Sequence, residues 1–293
     1  MKAPAFAYKR PEELEEALSL LATEGAQVLA GGQSLIASLN MRLSAPALLI
    51  DINRIGALRG IEDRDDSIRI GALVRHVDVL RSPIIAQEVP LLAMALPHVA
   101  HMAVRNRGTT CGSLALADPS AEMPALAVTL NATLVLEKHG ARRQVAARDF
   151  FQGLYQTDRE DDEMITEVIF PRAAKDDVFG FAELARRRGD FATIGIAVRA
   201  RRAGDALENL DVVIFGSEAT PLLSPAAPAL RIAADATEPM LADMAEAITA
   251  DMEPMENHQG RADTKRKQAA VLLRRTFKDM QSRAFGGEGR RHD

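Results

Sequence analysis

The chain carries one cysteine, Cys111, no tryptophan and two tyrosines in 293 residues. A lone cysteine allows no intrachain disulfide. It also excludes an iron–sulfur cluster or structural zinc held within the chain, because such sites take about four Cys or His ligands. Long apolar runs are missing too: nothing approaches the roughly 18 consecutive apolar residues of a membrane span. The first residues, Met1 to Ala17, contain no apolar secretory core. Basic excess is lacking as well, with 36 Lys and Arg against 41 Asp and Glu and a formal net charge of −5. Such a chain has no field favouring nucleic acid, so a cytoplasmic protein without membrane span or nucleic-acid partner is expected.

The familiar chemical motifs are also missing. There is no G-x-G-x-x-G, no G-K-[ST] and no G-x-S-x-G, which removes a Rossmann fingerprint, a Walker loop and a nucleophile elbow. His98 and His101 lie three apart without an evident third ligand, and His76 and His139 look isolated. They read as surface or satisfied histidines, and no metal site and no catalytic side chain are expected.

What the chain does have is an ordinary globular composition, 47% hydrophobic and 26% charged, long enough for about two domains. A strand at Phe6–Tyr8, a helix opening at Pro11 and buried through Leu14, Ala17, Leu18 and Leu21, a strand Val28–Ala30 and another Leu48–Ile52 predict a small β-α-β unit. Strands are then expected at Ser67–Gly71, Thr133–Glu137, Arg143–Ala146 and Ile165–Phe170. Helices are expected within Pro83–Ala100 and after Pro119, with Asp118-Pro119 as N-cap and N1. Asp161-Asp162-Glu163 reads as a solvated turn. Past Lys175-Asp176-Asp177 a strand meander (Phe179–Leu184, Ala192–Ala200, Leu210–Phe215) precedes helices at Pro225–Ala234, Glu238–Ala250 and Arg261–Ala284. A domain boundary is placed near 172–178, and Gly286–Gly289 reads as a frayed tail.

Two loops stand out. The first is Leu29, Ala30, Gly31, Gly32, Gln33, Ser34 and Leu35, whose consecutive glycines permit positive φ and let backbone N–H groups converge on an anion. The second, Gly108 to Ser113, holds small or hydroxylated residues and leads to Asp118-Pro119. Taken singly, each is equally a plain turn or a capped loop.

Together with Arg186-Arg187-Arg188-Gly189-Asp190-Phe191-Ala192, the two loops occur in an order that resembles the medium, FAD-binding subunit of the molybdenum hydroxylases, the xanthine and carbon monoxide dehydrogenase family. The resemblance spans nearly the whole chain. It implies an α+β fold: a two-lobed FAD-binding domain of the vanillyl-alcohol-oxidase (PCMH) type over residues 1–175, with lobes of about 1–57 and 58–175. A C-terminal domain of the carbon monoxide dehydrogenase flavoprotein type, a small antiparallel sheet with helices, would follow over 178–285, with a tail at 286–293. The loop Leu29 to Leu35 would wrap the pyrophosphate. Thr109, Cys111, Gly112 and Ser113 would close from the other side, Glu122 would hydrogen-bond the cofactor, Asp118 would support that loop, and Ile165 would pack near adenine or flavin.

Cys111 stands where the family has glycine, which leaves a packed loop residue or a redox-active thiol as readings. Leu116 replaces a common histidine. No family attachment position carries His, Cys or Tyr, so the implied FAD is non-covalent. The molybdopterin and [2Fe–2S] clusters would belong to a large and a small partner subunit, in a dimer of heterotrimers that passes electrons to an external acceptor. Asn40-Met41-Arg42-Leu43 resembles the branch acting on aromatic N-heterocycles. The competing readings are a self-sufficient FAD-dependent oxidase with its own substrate pocket and an assembly protein without flavin.

Overall fold

The computed structural model describes residues 2–286; the expected tail lies, from Gly287 on, outside them. Strands β1 (Ala7–Lys9), β2 (Ala26–Leu29) and β3 (Leu48–Asp51), with helices α1 (Leu14–Leu21) and α2 (Leu35–Met41), make the first lobe. Its parallel sheet runs β1-β3-β2. β3 sits in the middle and is buried at all four positions, as a strand covered on both faces must be. α1 turns Ala17, Leu18 and Leu21 inward at helical spacing.

The second lobe is an antiparallel sheet of order β4-β5-β10-β6-β7. In chain order it contains β4 (Ile61–Asp63), β5 (Ser67–Gly71), helices α3 (His76–Arg81), α4 (Pro83–Glu88), α5 (Pro90–Ala95), α6 (Met102–Arg105), α7 (Thr110–Leu116) and α8 (Glu122–Thr129), then β6 (Thr133–Lys138) and β7 (Ala141–Ala146). A short excursion through α9 (Ala147–Phe150), β8 (Phe151–Gly153) and β9 (Gln156–Thr157) leads to β10 (Met164–Pro171). Ile68 and Ile70 of β5, Leu134 and Leu136 of β6 and Val168 and Phe170 of β10 lie fully buried in one core with the first lobe's Ile50 and Ile52.

The C-terminal meander consists of β11 (Asp177–Leu184), β12 (Ile194–Ala203) and β13 (Ala206–Phe215), with β14 (Leu222–Leu223) and β15 (Ile232–Ala233) added on β13. Side chains alternate across this sheet. Ile194, Ile196, Val198, Val212 and Ile214 face a second core with Leu241, Ala245 and Ile248 of α10 (Glu238–Thr249) and Ala269, Leu273, Phe277 and Met280 of α11 (Ala262–Phe285). Phe179, Ala197, Val213 and Phe215 turn the other way, into the core of the first two lobes. Gly195 has no side chain because a Cβ there would fall 2.0 Å from the Phe215 ring.

Four local expectations are corrected. Pro225–Ala234 is not a helix: only Ala227–Ala229 forms a 3₁₀ turn, and Ile232 and Ala233 pair with Leu207 and Ala206. The chain after Gly108 is not all loop, since α7 starts at Thr110. Asp118-Pro119 does not start α8; Ala121 stands at its N-cap. Glu163 is no solvated turn residue, being 3% exposed. In α11 the stripe of Ala269, Leu273, Thr276 and Met280 is buried, joined by Lys265. That ammonium donates to the carbonyls of Gly216 at 3.2 Å and Met255 at 3.0 Å.

Candidate functional site

The two glycine-bearing loops meet. A Cβ at Gly31 would lie 2.5 Å from the Arg107 carbonyl oxygen and 2.9 Å from the Gly108 Cα, so the backbones touch and only glycine fits. Gly32 follows in the left-handed region at φ 72°, which glycine enters without steric cost. Gln33 and Ser34 lie exposed on the outward side of this turn, and Leu35 begins α2.

A polar frame outside the motifs holds the junction. Asp51, at the end of β3, accepts from the Asn53 amide at 2.9 Å, from its side chain at 2.7 Å and from Tyr8 Oη at 2.6 Å. Asn53 Nδ2 donates on to the Ala30 carbonyl at 2.8 Å, behind the first loop. Arg75 bridges to the second: it donates to Asn53 Oδ1 at 2.5 Å and to the Arg107 carbonyl. Burial and the charges of Arg107 and Arg59 push the Arg75 pKa down, as expected where cations gather. The His76 amide donates to Gly108 O at 2.9 Å, and its ring closes the space behind Gly108, 3.0 Å from where a Cβ would be. Burial and the charge of Arg105 push the His76 pKa down to about 4, so the ring is neutral.

The second loop is a helix entry. Thr109 caps α7, its hydroxyl accepting from the Gly112 amide at 3.0 Å. A Cβ at Gly112 would lie 2.6 Å from that hydroxyl. Gly112 is exposed and Ser113 half-buried, while Thr110 keeps a buried hydroxyl without a hydrogen-bond partner. Cys111 points inward: its thiol lies 3.7 Å from Ile70 O, and burial together with the Glu167 charge raises its pKa far above the ordinary thiol range. A helical backbone accepts a Cβ readily, which is why cysteine is tolerated here. The thiol is a packing group, not a reactive one.

The other expected residues fall on the flank. Asp118 accepts from the Ser120 amide at 2.9 Å and from Tyr155 Oη at 3.2 Å, shaping the turn into α8. Glu122 is 5% exposed, and burial, reinforced by the charge of Glu183, pushes it up to about 8. Ile165 lies in the core on β10 opposite Leu136, beside a bulge. Gly189, at φ 84°, approaches the His101 ring and the Ala100 carbonyl, bringing the Arg186–Ala192 segment against the loop before α6. His98 is a satisfied histidine: its Nδ1 pairs with Glu183 Oε1 at 3.3 Å.

Asn53, Arg75, His76, His98 and Glu183 thus belong to the surroundings of the candidate site, and no local motif marks them. The donor set suits a dinucleotide with a pyrophosphate. Gly32 and Gly112 leave backbone without a side chain on the two loops, guanidinium groups gather beside them, and the orphaned Thr110 hydroxyl lies at the helix entry. Among the described residues, no helix is long and apolar enough to cross a membrane.

Residues 4–173 match the family described as the FAD binding domain in molybdopterin dehydrogenase, and residues 179–280 match the CO dehydrogenase flavoprotein C-terminal domain. The carbon monoxide dehydrogenase medium chain of Hydrogenophaga pseudoflava is 36% identical over 279 residues, covering 94% of this chain and 97% of that one. The caffeine dehydrogenase subunit beta of Pseudomonas sp. strain CBB1 is 41% identical over 202 residues, 68% of each chain. In three dimensions, a chain of quinoline 2-oxidoreductase from Pseudomonas putida 86 superposes with a TM-score of 0.93 at 35% identity, covering 97% of this chain and 100% of the other.

Proposed function

This chain belongs to the family of FAD-binding medium subunits of the molybdenum hydroxylases, and from that membership we propose that it is the electron-transferring subunit of a heterotrimeric hydroxylase or dehydrogenase. FAD, when bound, would supply the redox chemistry between a partner's [2Fe–2S] clusters and an external acceptor. The protein supplies orientation and shielding. The observation that carries the reading is the backbone contact of Gly31 with Arg107 and Gly108, which joins the two motif loops into one cradle.

In this reading Leu29 to Leu35 enclose the pyrophosphate from one side and Thr109, Gly112 and Ser113 from the other. Cys111 and Ile165 pack the wall, Asp118 shapes the turn, and Glu122 hydrogen-bonds the cofactor. Cofactor binding belongs to residues 1–175, and 178–285 form a separate domain unit. The FAD is non-covalent. A small [2Fe–2S] subunit and a large molybdopterin subunit complete a cytoplasmic dimer of heterotrimers. The substrate class we propose for the complex is an aromatic N-heterocycle, in keeping with the names of the quinoline and caffeine enzymes.

The test begins with the purified chain, which should be yellow, contain neither iron nor molybdenum, and release its flavin on acid precipitation. Gly31→Val places a branched side chain where the Arg107 carbonyl lies and should abolish flavin retention. Normal flavin absorbance in that variant would show the cradle to be elsewhere. Substrate-dependent turnover by the single chain would replace this reading with the self-sufficient oxidase.

A further inference from the structure

The first loop leaves β2 of the first lobe, and the second leads into α7 of the second lobe. The contact of Gly31 with Arg107 and Gly108 stops the two from coming closer, but a van der Waals stop does not hold them together. Among the described residues, no backbone hydrogen bond runs between 29–35 and 107–113. The attraction between the loops has to come from side chains.

Two residues outside both motifs supply it. Asn53, in the 3₁₀ turn Ile52–Arg54 after β3, has every polar atom of its side chain engaged. Its Nδ2 protons go to Asp51 Oδ1 at 2.7 Å and Ala30 O at 2.8 Å, which leaves Oδ1 as acceptor for Arg75 Nη2 at 2.5 Å. Arg75 is fixed to the second loop by its own backbone. It pairs as an antiparallel bridge with Thr109, the cap of α7, and the following amide, His76, donates to Gly108 O at 2.9 Å. The guanidinium then reaches across, with Nη1 on the Arg107 carbonyl and Nη2 on Asn53. A continuous path of hydrogen bonds thus runs from Ala30 through Asn53 and Arg75 to Arg107, beside the point where Gly31 touches. Both side-chain acceptors of Arg75 are neutral oxygens, and Arg59 Nη2 converges on the same asparagine, donating to its carbonyl at 2.6 Å. Two like charges brought together at neutral acceptors suit a site that receives an anion better than a plain structural contact.

We propose that Asn53 and Arg75 are a positioning pair that sets the separation of the two cofactor loops across the lobes. The Gly31 contact is the stop, and the Arg75 fork is the tie. The proposal rests on the flavin reading above and adds to it two residues that need not touch the cofactor. With the tie in place the cradle stands open at a fixed width before any ligand arrives. Without it, the ligand has to draw the second loop onto the first, and its affinity falls accordingly.

The experiment is a titration of the full-length apoprotein with FAD, followed by flavin fluorescence, as a double-mutant cycle between the lobes. Arg75→Met keeps the aliphatic stem, removes both bonds and should weaken binding about thirtyfold, as expected for hydrogen bonds from a charged group. Asn53→Ala should weaken it about tenfold, and the double variant should match the poorer single within about threefold, because either change cuts the same tie. Losses that multiply would make the two residues independent and overturn the proposal. Arg75→Lys keeps the charge without the planar fork and should stay about tenfold weaker than wild type. Wild-type affinity in that variant would show that charge alone suffices, and would also overturn it. A second readout needs no flavin. In the Arg75→Met apoprotein, trypsin should cut after the exposed Arg107 about fivefold faster than in wild type, since the loop is freed locally. Equal acceleration after the exposed Arg231, beside β15, would report general destabilisation and count against the tie. Folded wild type that binds no FAD would instead refute the flavin reading and the proposal with it.

Discussion

Glu163 and Glu122 are buried to the same degree, 3% and 5% exposed, and their carboxyls are driven in opposite directions. Burial raises both. At Glu163, Arg143 answers with two hydrogen bonds of 2.6 and 2.7 Å and the Glu160 amide with a third at 2.8 Å, so the carboxyl is held below its ordinary range. At Glu122 burial is reinforced by Glu183 and Asp118 and opposed by the hydrogen bond to its own backbone amide and by His98, and the group is raised to about 8. Arg143 also reaches Asp158, in the turn before β10, so the first carboxylate fastens a hairpin. The second has no such structural partner. A buried charge with a guanidinium is an element of the fold, and a buried acid facing another acid is a candidate for chemistry.

The largest effect should come from breaking the paired site. Arg143→Leu leaves Glu163 buried and uncompensated, and should cost about 2–4 kcal/mol in a urea unfolding experiment, at the lower end because Arg143 is partly exposed. The same isosteric change at both glutamates sharpens the contrast. Glu163→Gln should cost about 1.5–3 kcal/mol, the worth of hydrogen bonds to a charged group. Glu122→Gln should stay within about 0.5 kcal/mol at pH 4, where the glutamate is neutral in both the folded and the unfolded chain, and should gain on the wild type at pH 7, where only the unfolded glutamate is ionised. Equal losses at the two positions would dissolve the comparison.

The pH dependence of stability separates them further. A raised carboxyl stabilises fully below its unfolded value, and that contribution is lost as pH rises through the native one, so the Glu122 share should disappear between about pH 4.5 and pH 8. The Glu163 share runs the other way, present above the ordinary carboxylate pKa and lost in acid. His76, depressed to about 4, also adds an acid limb, present above 6.5 and lost as pH falls through 4. Thermal melts of wild type and Glu122→Gln should coincide at pH 4, diverge from about pH 4.5 as the wild type loses relative stability, and run parallel above about pH 8. The smallest effect belongs to a carboxylate in water. Glu12→Gln, which removes the exposed pair with Arg54, should change stability by less than about 0.5 kcal/mol.

The sequence was most legible where one period or one unusual backbone demand dominates. The β-α-β opening, the meander and the long α11 follow from their apolar spacing, and Gly31-Gly32 marks a turn that only glycine makes. The failures share a cause. Pro225–Ala234 looks helical from its alanines, yet Pro228 interrupts the pattern and Ile232-Ala233 finds a strand partner on β13. Small residues suggested a loop over 108–113, where the Thr109 hydroxyl caps a helix instead. Asp161-Asp162-Glu163 reads as solvated until the neighbouring strands bring Arg143, twenty positions earlier, onto its last member. Asn53, Arg75, His98 and Glu183 act on the site only through tertiary contacts between distant segments, which no local spacing encodes.

Helix α8 is buried at all eight positions, from Glu122 to Thr129, a pattern that needs cover on every side. Part of that cover is the inner face of the C-terminal sheet, through Val213 and Phe215. The chain is therefore a poor subject for exchange at its interdomain linker. A protease nick near 172–178 should leave the halves associated, and a chimaera joined there with a relative's C-terminal part should stay soluble only if the donor's sheet matches the residues around α8. Tailoring by recombination in such a chain has to treat the seam, rather than the linker, as the unit of inheritance.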